Sequence, residues 1–397
     1  MRVSNLGFFN RAVSNIQSVQ RELNAVQEQI ATGRRIQQPS DDPNGAARIL
    51  DYQESLATLE QYQRNTELAT NRLRLSEDTL TRVTETLQRV RELTLQGANA
   101  SQTNETRSFI ATELNESIED LLGLANTRDA SDQFLFSGFQ AGIQPFSRTA
   151  TGFTYNGDDG QRFIQVSASR QIPDTNSGDE IFGRIREGNG QVLVTGTPAN
   201  TGTGVAVNEV QGRVQNYNFE RFDIVFTAPD TFEVRDALGA VVSTGAFAPG
   251  ATIAAGPARV RIGGEPDVGD TFAVDPSPNN DVFSIVQGIA DALATDSDDP
   301  QERAVLDSAL NRGLEGLDRA LESVLEVRTS IGSRLSAAES QLDTNLGTEL
   351  VLQEAIAGVQ DLDHAEDASR LAAQASALEA AQQSFIRVQS LSLFNFL

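Results

Sequence analysis

Apolar residues recur at helical spacing through both ends of this chain, and the spacing stops in the middle. Ile16, Val19, Leu23, Val26 and Ile30 follow one another at alternating intervals of three and four, the seam of two helices that wrap each other. Leu80, Val83, Leu87 and Val90 repeat the pattern. Ile110, Leu114, Ile118 and Leu121 form a third stripe after a break at Gly97–Asn99. Towards the C-terminus a stripe runs from Leu310 to Leu342, interrupted where Arg328 sits on the seam. Leu371, Ala375, Leu378, Phe385 and Val388 make the last one. A helix over 301–345 would be on the order of 65 Å long at 1.5 Å per residue. A one-sided stripe of that length needs a partner, so the two flanks are expected to pair as a rod.

The middle reads differently. Residues 138–280 hold 20 of the 31 Gly and 9 of the 12 Pro, residues that punctuate turns and interrupt helices. Gly152–Val166 reads as a hairpin about Asn156–Gly160. Phe222–Phe226, Thr231–Arg235, Val260–Ile262 and Thr271–Val274 read as short strands. The fold class is therefore α+β and multidomain: a helical rod of paired terminal segments with an inserted β-rich domain.

Composition removes much chemistry. With no Cys there is no disulfide, thiolate metal site or Cys nucleophile. His364 is the one histidine. A formal charge of −24 makes nucleic acid and anionic membranes poor partners. No stretch is apolar enough to span a membrane, and the N-terminus lacks the apolar core of a cleavable signal peptide. Every basic residue is Arg, which suits bidentate pairing and also a GC-rich coding bias. No catalytic, cofactor or metal residue is assigned. Asp158 and Asp159 are neighbours on one turn, and adjacent strand residues face opposite ways, which suits neither an acid–base pair nor a full calcium loop. His364 with Asp361 or Asp363 reads as a solvated helix face. Ser40–Pro43 and Asp296–Pro300 read as helix caps. Thr201–Gly204 lacks the Lys and helix of a phosphate loop.

The run Gln29–Pro43, with its Thr32-Gly33-Arg34-Arg35 turn and Ser40-Asp41-Asp42-Pro43, resembles the signature of the flagellin family. Leu87–Leu93 is similar to that family's first long rod helix. Gln133–Phe139, Tyr155–Gly160 and the ending Leu391–Leu397 resemble the family members that form the hook–filament junction more than the filament flagellins. Residues 184–280 match no pattern. The resemblance implies a terminal coiled-coil inner domain (1–42 with 365–397), a helical rod domain (43–137 with 281–364) and the β-rich outer domain (138–280). It implies a structural, non-enzymatic subunit, exported through the flagellar channel and extracellular. Its implied partners are itself, the first hook-associated protein, flagellin and an export chaperone. Filament flagellin is the nearest alternative, and a glycan-binding or hydrolytic module on a helical stalk is one of another class.

On this reading Ile16, Leu23, Val26, Ile30, Leu378, Phe385, Leu393 and Phe394 are the assembly residues, with ordinary intramolecular core as the alternative role of each. Gln88, Arg89, Leu93 and, on the adjoining helix, Glu113 resemble the flagellin face met by a vertebrate innate receptor. There Arg89 and Leu93, four apart, would present a cation beside an apolar anchor.

Overall fold

The computed structural model describes residues 5–208 and 220–390. The described residues hold six α-helices: α1 (Asn5–Thr32), α2 (Pro43–Ala98), α3 (Asn104–Ala125), α4 (Val282–Ala294), α5 (Pro300–Gln360) and α6 (His364–Ser390). The helix expected over 301–345 continues to Gln360, because no Gly–Pro break intervenes before the turn at 361–363. The acidic clusters before helices are caps. Asp42 Oδ1 accepts from the Gly45 amide at 2.9 Å, with Pro43 in the first helical position. Asp299 Oδ1 accepts from the Glu302 amide at 2.8 Å, and Glu302 Oε2 accepts from Asp298 N at 2.9 Å. Asp363 Oδ1 accepts from Ala365 N at 2.9 Å, which leaves His364 at the exposed first residue of α6.

The chain forms two compact units. The first gathers its two ends, up to Arg64 and from Gln341, and the second is Asn65–Ser340. The units divide within α2 and α5, since each of these helices contributes residues to both.

In the second unit, Leu80, Val83, Leu87 and Val90 of α2 are fully buried in one apolar core with Leu114 and Ile118 of α3, Val286 of α4 and Leu317 of α5. Arg328 breaks its stripe to reach Glu77 Oε1 on α2, with Nη2 at 2.7 Å and Nε at 2.9 Å.

The middle of the chain divides in two. β1 (Phe146–Thr149) pairs with β2 (Gly152–Tyr155), and β3 (Phe163–Ser167) pairs with β4 (Arg170–Pro173). The single hairpin expected over 152–166 is thus corrected to two. Asn156–Gly160 connects the hairpins rather than turning one, because its side chains are engaged by a distant loop, described below. A π-helical turn (Asp179–Gly183) and β5 (Ile185–Arg186) follow. Phe146, Val166, Ile172 and Phe182 from this stretch enter the helical core, where the Phe146 and Phe283 rings lie 5.1 Å apart.

The later strands build their own core. They are β6 (Val192–Gly196), β7 (Val205–Asn208), β8 (Phe222–Ala228), β9 (Thr231–Asp236), β10 (Val241–Ala246), β11 (Thr252–Ala255), β12 (Ala258–Gly263) and β13 (Thr271–Pro276). A final pair of residues, β14 (Asn279–Asn280), returns to β5. A five-stranded antiparallel sheet runs β10-β9-β8-β13-β6, and a three-stranded one runs β11-β12-β7. Ile224, Phe226, Val260, Ile262 and Phe272 are buried between them. The expected strands at 222–226, 231–235, 260–262 and 271–274 fall inside β8, β9, β12 and β13. The Gly-rich loop Thr201–Gly204 is filled by protein: buried Asp270 accepts from Thr201 N at 2.7 Å and Gly202 N at 3.1 Å.

Candidate assembly surfaces

In the first unit the run that carries the family resemblance is a joint. Gly33 ends α1 in the left-handed region, with φ +69°. Its carbonyl accepts from Leu362 N at 3.1 Å, and Arg35 N donates to Gln360 O at 2.8 Å. Arg35 Nη2 reaches Val359 O at 2.7 Å, and Arg34 and Asp361 form an antiparallel bridge. The α1–α2 turn is thereby stitched to the α5–α6 turn. Asp41 closes the loop by accepting from Gln37 N and Gln38 N, and these backbone donors hold its carboxyl below the usual range.

From this joint α1 and α6 run antiparallel, so that Phe9 meets Phe385 at 5.1 Å between ring centres. Their seam is incompletely covered. Of the proposed assembly residues that the structure describes, only Val26, 4% exposed, is buried. Ile16, Leu23, Ile30, Leu378 and Phe385 are half-buried, while Phe9 and Ile386 are exposed. No described apolar side chain of α6 is fully buried. Asp367 and Gln374 interrupt its seam around Leu371, and the buried Oε1 of Gln374 has no hydrogen-bond partner among the described residues. Leu393 and Phe394 lie outside the described residues.

In the second unit the two other family motifs interlock. Asp158 Oδ1 accepts from Phe139 N at 2.9 Å and Gly160 N at 2.7 Å, and Asp158 N donates to Ser137 O at 3.2 Å. Gly138 has φ +69°, and a Cβ there would lie 2.2 Å from the Asp158 carbonyl oxygen. The Tyr155 hydroxyl lies 2.9 Å from Asp158 O and 3.1 Å from Phe136 O, and burial pushes its pKa up. Asp159 pairs with Arg184 and accepts from Ser177 Oγ at 3.0 Å; the Arg184 bond holds its carboxyl below the usual range. The two carboxylates are latches of a loop closure. Among the described residues no group of three or more His, Asp or Glu is placed to hold a metal ion.

Sequence reasoning missed a buried charge cluster beside this knot. Arg72, 6% exposed, pairs with Asp129 and donates to Phe134 O at 2.9 Å. Asp174, 1% exposed, pairs with Arg162 at 2.5 Å. Burial pulls the Arg72 pKa down. These residues lie on four separate segments with no spacing in common, so no local pattern could announce them.

The receptor-like face is altered by the structure. Gln88 and Arg89 are exposed, and Arg89 Nη2 meets Glu113 Oε1 of α3 at 2.7 Å. Leu93 is corrected: it is 1% exposed and belongs to the core. It continues the buried stripe of Val83, Leu87 and Val90 and cannot be an apolar anchor beside Arg89.

The paired ends, the joint and the β-bearing insert define a flagellin-type structural subunit. Residues 3–141 match the family model for the bacterial flagellin N-terminal helical region. The chain is 25% identical over 399 residues to flagellar hook-associated protein 3 of Escherichia coli, covering 99% of each. It is 32% identical to the crystal structure of Xanthomonas campestris FlgL, with a TM-score of 0.73, over 77% of this chain and 99% of that one. The flagellar junction protein FlgL from Legionella pneumophila matches at 28% identity and a TM-score of 0.67, over 72% of this chain and 98% of that one. The chain belongs to the flagellar hook-associated protein 3 family.

Proposed function

We propose that the protein is a structural subunit of the bacterial flagellum that assembles with copies of itself where the hook meets the filament. The observation that carries this is a full-length likeness to flagellar hook-associated protein 3, with a likeness to a flagellar junction protein over 72% of this chain, combined with a terminal helix pair whose apolar seam is half open. A seam that α1 and α6 cover only partly is finished by neighbouring copies, as in open head-to-tail assemblies. The assembly residues are Ile16, Leu23, Val26, Ile30, Leu378 and Phe385, with Leu393 and Phe394 beyond them. Filament flagellin is the weaker reading, since the flagellin model is matched only over residues 3–141.

On this reading the adjacent partners are the first hook-associated protein and flagellin. The chain reaches them outside the cell through the flagellar export channel, with an export chaperone. The role is architectural, with no catalysis: Asp158, Asp159 and Asp363 are engaged as latches and a cap. The deciding experiment is complementation of a junction-deficient strain. Wild type should restore swimming. Leu23→Asp and Leu378→Asp should not, and flagellin should be shed into the medium. Full motility from both variants would sink the reading.

A receptor-facing role of the free subunit rests on Gln88, Arg89 and Glu113 alone, without Leu93. The Arg89–Glu113 contact supports it as a shaped polar face. A reporter-cell assay with wild type and Arg89→Asp decides it, and equal responses would end it.

A further inference from the structure

The domain built by β6–β13 has two sides that differ. The side bearing β6 and β7 lies against α5: Val194, Gly196 and Ala206 share a groove with Ala304 and Val305, the Gln301 side chain donates to Thr201 O, and Arg319 Nη2 donates to Asn189 O at 3.0 Å. On the other side the five-stranded sheet ends at β10, which among the described residues pairs only with β9. Val241, Val242, Ser243 and Thr244 are all exposed, Val241 at 51% and Val242 at 54%.

The charge pattern there is unusual for this chain. From Ala237 to Ala258 no residue is charged, although 22% of the whole chain is and the net charge is −24. Natural edge strands are commonly guarded by charged side chains, proline or bulges. β10 carries neither charge nor proline, and its one guard is a bulge at Val242. That leaves Ser243–Ala246 as a neutral edge with no second strand paired to it among the described residues.

We propose that this edge pairs antiparallel with β10 of a second copy of the chain, forming a weak twofold dimer of free subunits. A strand laid antiparallel on its own copy is self-complementary, as an isologous contact requires. Copies carrying −24 repel one another, and the neutral edge is where approach is least opposed. A six-residue edge falls short of the roughly 1,000 Å² of a self-sufficient interface, so the dimer fills only at high protein concentration. Screening of the mutual repulsion makes it tighten as salt rises. The inference does not rest on the junction role.

The absence of Cys gives a clean test on the full-length protein. Ser243→Cys should form a disulfide-linked dimer about tenfold faster than Val268→Cys, also an exposed position but in the β12–β13 connection, because pairing raises the local thiol concentration. Sedimentation velocity should show association that grows with concentration and with salt. Val242→Lys/Thr244→Lys, at exposed positions, should weaken it about tenfold by placing like charges across the pair. The inference is overturned if the two cysteines cross-link at equal rates. It is equally overturned if association persists unchanged in the double-Lys variant, which would place self-contact elsewhere, or if wild type stays monomeric at every concentration.

Discussion

Val83, Leu87 and Val90 on α2 are spaced four and three, and Ile16, Leu23 and Ile30 on α1 are every second position of a seam with the same alternation. The first three are fully buried in the second unit, while the latter three are half-covered in the first. The difference lies in what surrounds each stripe. α2 is enclosed by α3, α4, α5 and the aromatic side chains of the β1–β5 segment. α1 has α6, and α6 offers Asp367 and Gln374 where a seam would otherwise carry apolar side chains. A spacing of three and four announces that a helix has an apolar face, and burial then depends on how many neighbours converge on it.

The most forceful way to break this comparison is to place one charge in each seam. Leu87→Asp puts an unpaired carboxylate into a fully buried position and should cost more than about 4 kcal/mol, enough to leave the second unit unfolded by circular dichroism. Leu23→Asp should leave the main melting transition in place while abolishing assembly. Hydrogen exchange should agree, slow across 73–95 and 310–342 and fast along α1 and α6. If Leu23→Asp melts the whole protein, the terminal seam is core like the other.

The second test concerns the interlocked loops, which help enclose the second unit. Gly138→Ala forces a side chain into the left-handed region and against the Asp158 carbonyl, and should cost about 2 kcal/mol or more by thermal unfolding. Gly33→Ala shares the positive φ but meets nothing within 4 Å, so only the backbone cost of about 1 kcal/mol is expected.

A third, smaller effect sharpens the role of the polar interruption at Arg328. Arg328→Leu completes the apolar stripe but strands the half-buried Glu77 and should destabilise by about 1 kcal/mol. Glu77→Gln/Arg328→Leu should recover most of that loss in a double-mutant cycle. Equal melting of both variants would mean that the pair is not coupled.

The smallest effect is the response to acid. The bond from Arg184 holds the Asp159 carboxyl below its ordinary value of about 3.9, so its contribution is intact above that pH and lost as pH falls through the depressed value. The chain has four Tyr and no Trp, so tyrosine fluorescence should report Tyr155 as the knot loosens. Asp159→Asn should flatten that acid step without moving the neutral-pH spectrum.

Reading the residues was enough for the long helices, their caps and the change of character at 138, because period, capping side chains and Gly–Pro density are local properties of the chain. The strands at 222–226, 231–235, 260–262 and 271–274 were legible for the same reason. Pairing was not. Asn156–Gly160 has the composition of a hairpin turn, and only the arrival of Ser137–Phe139 from outside made it a connector whose Asp158 is occupied. Leu93 reads as the outward neighbour of Arg89, but it is buried in the core of the second unit. Arg72, Asp129, Arg162 and Asp174 carry no sequence signal, since a buried ion network is set by where separate segments meet. The sequence by itself determined which faces are apolar and where helices start. The tertiary structure decided which of those faces are covered, because cover is a property of neighbours brought from far along the chain.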